Sequence, residues 1–506
     1  MMRKRYYLLL MAICTIASSV FVAGPSAAEA ATASKIADFD SASLIRADGT
    51  YWVWGNNRPV PTQIQALSDV EAAFPGNLVM KKDGSVWNWL PISTGFRVDP
   101  VKGVERLSSV QDEWNYIIAV EESGDVAVIP RDTGFVVPDA TIAVDGIDNV
   151  EKVSGYYERP EYKRYLLFLK KDGTLWGSAP SEDNMLSGLE SVAGMDHVVD
   201  IAGNLALKND GSVWAMSAPE SAGASAAGAS PRLIATKMRE LAGIVRIATN
   251  DRSNLAVDKL GHVWFWGETL TGMTDGTVTY EHPVPTELTT VKDARDVAIV
   301  ERSLIVLTAD GTVTGTSIDR ETMPANPVFR KMATGMVRLE PGMRHLIMQK
   351  ADGSLWGWGI NKQAELGYGD YEFSHDVPVP VQKAVTVTVN GERVALMNGV
   401  IIRSDQAFIP LRSVFEKLGA AVTWDFNLKI AAIKRPAGQP AGSAATTITM
   451  NFQTGALMLN GAKITLKQTP FIENGTTYPP LRFISESLGA QVAWDANADL
   501  ITIQEQ

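Results

Sequence analysis

"KADGSLWGWGINKQAELGYG" runs from Lys350 to Gly369. Asp352-Gly353 is a turn signal between two alternating apolar runs, "LIMQK" before it and "SLWGW" after it. Asp-Gly tolerates the positive φ angles of a type I′ turn, whose twist suits the two strands of a hairpin. With two tryptophans two residues apart, the stretch is either a working site or one member of a repeating series. The remainder of the chain decides between them.

The pattern recurs. "RADGTYWVWG" starts at Arg46, "KKDGSVWNW" at Lys81, "KKDGTLWG" at Lys170 and "KNDGSVWAM" at Lys208. Weaker copies are "EESGDVAVI" at Glu121, "DKLGHVWFWG" at Asp258 and "TADGTVTGT" at Thr308. The turn glycines are Gly49, Gly84, Gly124, Gly173, Gly211, Gly261, Gly311 and Gly353, spaced 35 to 50 residues apart. Self-similarity at such a period marks a repeat architecture. Residues two apart in a strand share a face, so Trp264 and Trp266 of "VWFW" point the same way. A ligand-stacking strip and packing between neighbouring sheets both explain such tryptophans, and their recurrence favours packing.

A second element precedes each hairpin, as in "IDNVEKVSGYY", "MDHVVDIAGN" and "LAGIVRIATN", where a Val/Ile-rich strand ends in a short polar loop. Each unit thus reads as strand, loop, strand, Asp-Gly turn, strand and a variable segment. Units of about four strands at this period predict a β-propeller. Ring closure removes most exposed sheet edges. "WGINKQAELGYGD" resembles the signature of RCC1-type propeller repeats, with Ala364 and Glu365 replacing its Gly-Gln pair. "GMRHLIMQKADGSLWGWG" is also similar to that family, with His345 at its usual histidine position. The other copies mostly lack the second half of the signature. The resemblance covers residues 36–383 and implies a seven- or eight-bladed β-propeller: the family usually has seven blades, whereas this chain carries eight hairpins.

Beyond "VPVPVQKA" the pattern changes. "AFIPLRSVFEKLGAAVTWD" (Ala407–Asp425) and "TYPPLRFISESLGAQVAWD" (Thr477–Asp495) are offset by 70 residues, which aligns Arg412 with Arg482 and Trp424 with Trp494. Leu411, Val414, Phe415 and Leu418 form the i, i+3, i+4, i+7 stripe of a short helix that Gly419 ends. A strand pair follows in each copy, so this is a small duplicated α+β domain, 385–504, with copies at about 385–434 and 446–504 and the linker "RPAGQPAGSAA". Its Pro-Leu-Arg, Leu-Gly-Ala and Val-x-Trp-Asp elements resemble the copper amine oxidase N-terminal-like domain of secreted and cell-surface bacterial proteins, although Tyr478-Pro479-Pro480 departs slightly from its pattern. The resemblance implies an accessory domain. Copper chemistry needs imidazole ligands, and no histidine follows His375. Arg412 and Arg482 either bind an anionic polymer or, the simpler reading, bond carbonyls within the domain.

The N-terminus reads as an export signal. Arg3, Lys4 and Arg5 precede the apolar run "LLLMAICTIASSVFVAG", and "SAAEAA" offers a cleavage site after Ala30. The alternative is an uncleaved anchor; no later stretch is apolar enough to span a bilayer. Removal of residues 1–30 takes three basic residues and one acidic one, moving the net charge from −11 to −13. That balance argues against nucleic-acid binding. Cys14, the only cysteine, leaves with the signal, so stability rests on burial without disulfides.

Catalytic patterns are missing. His197, His262, His282, His345 and His375 show no zinc-type spacing, and no nucleophile elbow, phosphate loop or dinucleotide fingerprint appears. No catalytic residue, metal or cofactor is expected. The loops ahead of each second strand occupy equivalent places and should emerge on one face of the ring. They bring Trp114, Tyr156, Tyr157, Arg159, Arg252, Arg302, Arg344 and His345 as candidate partner-binding residues, aromatics and arginines being common interface anchors. The expected protein is a secreted or cell-surface, non-enzymatic binding protein. Its ring recognises an extracellular protein or cell-wall glycan, and its C-terminal domain associates with the envelope. Two alternatives stand beside it. The RCC1-like resemblance also implies an exported inhibitor of an enzyme such as a β-lactamase, and a spatially assembled carboxylate pair would make a glycan-active enzyme.

Overall fold

The repeated motif folds as a hairpin whose members bond one another. In the first copy Gly49 N donates to the Arg46 carbonyl at 2.8 Å, and Arg46 N to the Thr50 carbonyl at 3.0 Å. Gly49 has a φ of +77° while Asp48 does not enter the positive region. The turn is therefore a type I turn closed by a left-handed glycine, not the type I′ turn expected from Asp-Gly. The aspartate is the reason. Its Oδ1 accepts the Thr50 amide at 3.0 Å and the Thr50 hydroxyl at 2.6 Å, a local closure typical of this residue. The same hydroxyl accepts Trp52 Nε1 at 2.9 Å, and the Arg46 guanidinium lies 5.0 Å over the indole. At the other end of the series, Trp356 Nε1 donates to Ser354 Oγ at 3.2 Å and Lys350 Nζ lies 3.7 Å over its ring. The motif's cation, aspartate, hydroxyl and tryptophan are thus one structural unit.

The computed structural model describes residues 34–158, 162–179, 186–218, 233–272, 276–438 and 444–505, so the expected signal peptide and Arg159 lie outside the described residues. Between Ile36 and Pro380 eight antiparallel sheets follow one another, each with four strands in chain order; the third carries a fifth short strand. We call them blades 1 to 8. First strands of successive blades touch. Lys152 meets Asp200 at 2.6 Å (blades 4 and 5), Arg246 meets Asp296 at 2.6 Å (6 and 7), and Arg338 meets Asp38 at 2.6 Å (8 and 1). The last pair closes the ring, so the propeller has eight blades. These six residues occupy one equivalent position in six successive blades, with alternating charge around the inner wall. At their partial exposure each pair contributes at most ~1 kcal/mol. Most of the cohesion comes from apolar cores between blades, such as Leu255, Phe265, Val297 and Leu304 between blades 6 and 7.

Seven of the eight junctions share one bond. The residue entering each new blade donates its amide to the turn glycine of the blade before it: Val70 to Gly49, Arg106 to Gly84, Val150 to Gly124, Val198 to Gly173, Ile244 to Gly211, Ala294 to Gly261 and Met336 to Gly311, at 2.9–3.0 Å. The eighth junction, from blade 8 back to blade 1, has no connecting chain, and nothing lies within 4 Å of a Cβ built on Gly353. Here the "INKQAELGYG" loop substitutes. Trp54 Nε1 of blade 1 donates to the Glu365 carbonyl at 2.9 Å, and Asn57 N donates to the Gln363 carbonyl at 3.0 Å. Ala364, Leu366 and Asn361 are fully buried under this loop. The Asn361 side chain holds its shape, accepting Leu366 N at 3.0 Å and donating to Asp370 Oδ1 at 2.7 Å.

The C-terminal region packs directly on this seam. The outer strand of blade 1, Arg58–Gln63, is buried along nearly its whole length, whereas its counterparts Ile234–Lys237 and Val278–Glu287 are exposed or half-buried at all but one residue. Val60 shares a core with Ile401, Phe408 and Tyr478, all at most 1% exposed. Arg46 bonds the Ala384 carbonyl, and Asp499 faces both Arg46 (3.5 Å) and Lys383 (2.7 Å). The two copies interleave. Thr386–Val389 of the first pairs in parallel with Leu500–Glu505 of the second, while Ile430–Arg435 pairs with Thr446–Asn451. The expected helices form at Leu411–Phe415 and Leu481–Ser487, and their buried residues include Leu411, Val414, Phe415 and Ile484. Arg482 Nη1 donates to the Val492 carbonyl at 2.7 Å, which favours the structural reading of that arginine.

Candidate functional site

The loops between first and second strands of neighbouring blades bond one another, Arg164 to Glu113 across blades 4 and 3 and Arg344 to Glu301 across blades 8 and 7, but the candidates divide between two arcs. Trp114, at 81% exposure, stands on the blade 3 loop. Its neighbour Glu113 is buried and accepts Arg164 Nε from blade 4 at 2.9 Å. Arg131 Nη1 donates to the Glu113 carbonyl at 3.0 Å, and Arg131 also pairs with Asp112 at 2.6 Å. The Arg164 guanidinium in turn covers the ring of Tyr157 at 4.5 Å, and Tyr157 is 47% exposed. An exposed indole and a phenol therefore sit on a base held by buried charge-assisted bonds.

The arginines lie on the far arc. Arg252 of blade 6 is exposed and has no ion pair among the described residues. Arg302 of blade 7 donates to the Gly272 carbonyl at 2.7 Å and faces Asp319 at 3.5 Å. Arg344 of blade 8 donates through Nε to Glu301 at 2.9 Å. Around the eight-bladed ring Arg252, Arg302 and Arg344 stand three, four and three blades from Trp114, so the expected single cluster does not form.

Two candidates need correction. Tyr156 is 3% exposed, stacks on Tyr165 at 5.6 Å and belongs to the core between blades 4 and 5, where burial pushes its hydroxyl pKa upward. Adjacent strand residues point to opposite faces, so Tyr156 and Tyr157 cannot both meet a partner. His345 is a seam residue. Its Nε2–H donates to the Ser41 carbonyl of blade 1 at 2.8 Å. The residues the sequence reading missed are Tyr162 (59% exposed), Met343 (90% exposed) and the brace Glu113; Tyr162 and Met343 had a local signal, being apolar side chains in the same polar loops.

His345 makes the seam sensitive to pH. Burial lowers its pKa, opposed by the Ser41 carbonyl and by Glu365 and Asp40. The unfolded side chain titrates near 6.5. The unfolded chain thus takes the proton first, and the stability contributed by neutral His345 is complete above about 6.5 and lost as pH falls below it. The melting temperature should drop between pH 7.5 and pH 5, and His345→Gln should lose part of that drop. An identical drop in the variant would show that other groups carry it.

Residues 387–503 match the family model described as copper amine oxidase N-terminal domain. Among solved structures, human WBSCR16 is similar at 17% identity, covering 57% of this chain and 84% of that one, with a TM-score of 0.41. Prp20p from Saccharomyces cerevisiae is similar at 12% identity, covering 68% of this chain and 88% of its own, with a TM-score of 0.41. No curated protein matches the chain. Among the described residues no three His, Cys, Asp or Glu side chains converge as metal ligands, and no helix is long and apolar enough to cross a membrane.

Proposed function

We propose that the protein is an exported, non-enzymatic binding protein whose ring face recognises an extracellular protein and whose C-terminal unit associates with the cell envelope. The observation that carries the reading is Trp114, 81% exposed beside Tyr157 on a loop braced by Arg131 and Arg164. A rigid aromatic anchor provides contact area at little entropic cost, and such residues dominate interface energetics. The basic n-region and apolar run before Ala30 support export.

Two measurements test it. Cell fractionation should place the full-length product outside the membrane or on the wall; a cytoplasmic product would sink the export half. Capture from the native extracellular fraction with the full chain should yield a partner that Trp114→Ala binds about 30-fold more weakly. Because Trp114 is so exposed, the variant's stability should change by less than about 0.5 kcal/mol. Capture unchanged by the substitution would remove Trp114 from the site.

A further inference from the structure

The duplicated C-terminal unit offers an internal comparison. In the first copy Trp424 is covered, with Phe426 at 6.2 Å and Phe452 at 5.4 Å from its ring. In the second copy Ala496 stands where the 70-residue offset places the counterpart of Phe426. Trp494 is accordingly 40% exposed and has no ring partner among the described residues. It forms one wall of a cleft of about 750 Å³, together with Leu466, Phe483 and Val492. This volume falls within the range of small-ligand sites. Asp405, from the Ser404-Asp405 turn of the first copy, also lines the cleft, and both turn residues have positive φ (47° and 60°). The equivalent turn of the second copy is occupied elsewhere: Asn474 Nδ2 donates to Asn57 Oδ1 of the ring at 3.1 Å.

The polar groups of the cleft favour one ligand chemistry. Its two cations are already engaged, Lys383 with Asp499 at 2.7 Å and Arg482 with the Val492 carbonyl at 2.7 Å. Arg482 also faces Glu486 at 3.3 Å. An anionic ligand would have to compete with the carboxylates already paired to both cations. The side chains of Asp405 and Gln406 line the cleft, have no partner among the described residues and so carry unused acceptor oxygens. A flat apolar wall with unused acceptors in the same cleft suits a ligand with an apolar face and hydroxyl donors. We propose that this cleft binds a neutral pyranose-based glycan, with a sugar ring against the Trp494 indole and its hydroxyls donating to Asp405 and Gln406. An apolar peptide would fill the walls but leave the Asp405 carboxylate unmatched.

The proposal deepens the envelope-association half of the reading above and takes its biological setting from it. Binding by purified protein and export of the product are independent measurements, so either can fail while the other holds. The full-length chain is titrated calorimetrically with chitohexaose, with cellohexaose and with a neutral apolar octapeptide. At least one hexasaccharide is expected to bind with a Kd below about 1 mM. Trp494→Ala should weaken it by about tenfold or more, Trp494→Phe by no more than about threefold, and Asp405→Ala by about threefold. Trp494 is partly exposed at the cleft wall, and a melting curve near that of the native chain confirms that the alanine variant is folded. No sugar binding up to about 5 mM, equal binding by Trp494→Ala, or binding of the octapeptide in preference to both sugars would each overturn the assignment.

Discussion

Phe408→Ala is expected to destabilise the protein by about 4 kcal/mol and to loosen the C-terminal unit from the ring. Phe408 is 1% exposed and packs on Phe471 at 5.0 Å, with Val60, Ile401 and Tyr478 completing the core. Val60 lies on the outer strand of blade 1, so a cavity here weakens the cover over that strand. Urea unfolding would show a lower midpoint, and limited proteolysis would cut faster between the ring and the C-terminal unit. Phe426→Ala supplies the contrast: at 76% exposure it should cost less than about 1 kcal/mol. Equal losses in the two variants would mean that the Val60 core does not join the units.

The second large effect concerns the turn glycines. Gly49→Ala should cost about 3 kcal/mol, and Gly353→Ala about 1 kcal/mol. Both residues adopt left-handed φ angles, +77° and +86°, so the conformational penalty is shared. The surroundings differ. A Cβ on Gly49 would stand 2.8 Å from Asp69 Cα, where blade 2 begins, whereas a Cβ on Gly353 meets nothing within 4 Å. The first substitution must push backbone apart at a blade junction and break the 2.9 Å bond from Val70 to Gly49. Thermal melts of the two variants side by side would test this; similar losses would show that conformation, not the junction, sets the requirement for glycine.

These glycines also show how much was legible beforehand. Their recurrence marked eight hairpins, and eight blades formed. Hairpin formation depends on turn chemistry and alternation within some ten residues, so sequence carries it directly. The helix stripes of the C-terminal copies were readable for the same reason. The turn type was not, because it depends on whether Asp48 bonds the amide two residues on, a choice that Asp-Gly alone leaves open. The candidate loops were legible as a set, but not their division into two arcs, and Tyr156 was misplaced although strand alternation excludes it.

The stretch at Lys350 marks the division most clearly. By itself the sequence determined that it is a hairpin of a repeating β series, since Asp352-Gly353 and the flanking apolar alternation act locally. It did not show why this copy alone keeps the long loop through Gly369. Only the tertiary structure decided that: blade 8 must be joined to blade 1 without a connecting chain, and the loop bridges them through Glu365 to Trp54 and Gln363 to Asn57. The interleaved C-terminal copies and the core around Val60 belong to the same class. They pair residues separated by tens to hundreds of positions, and such contacts are selected by shape and burial once the ring exists, leaving no periodic signal in the chain.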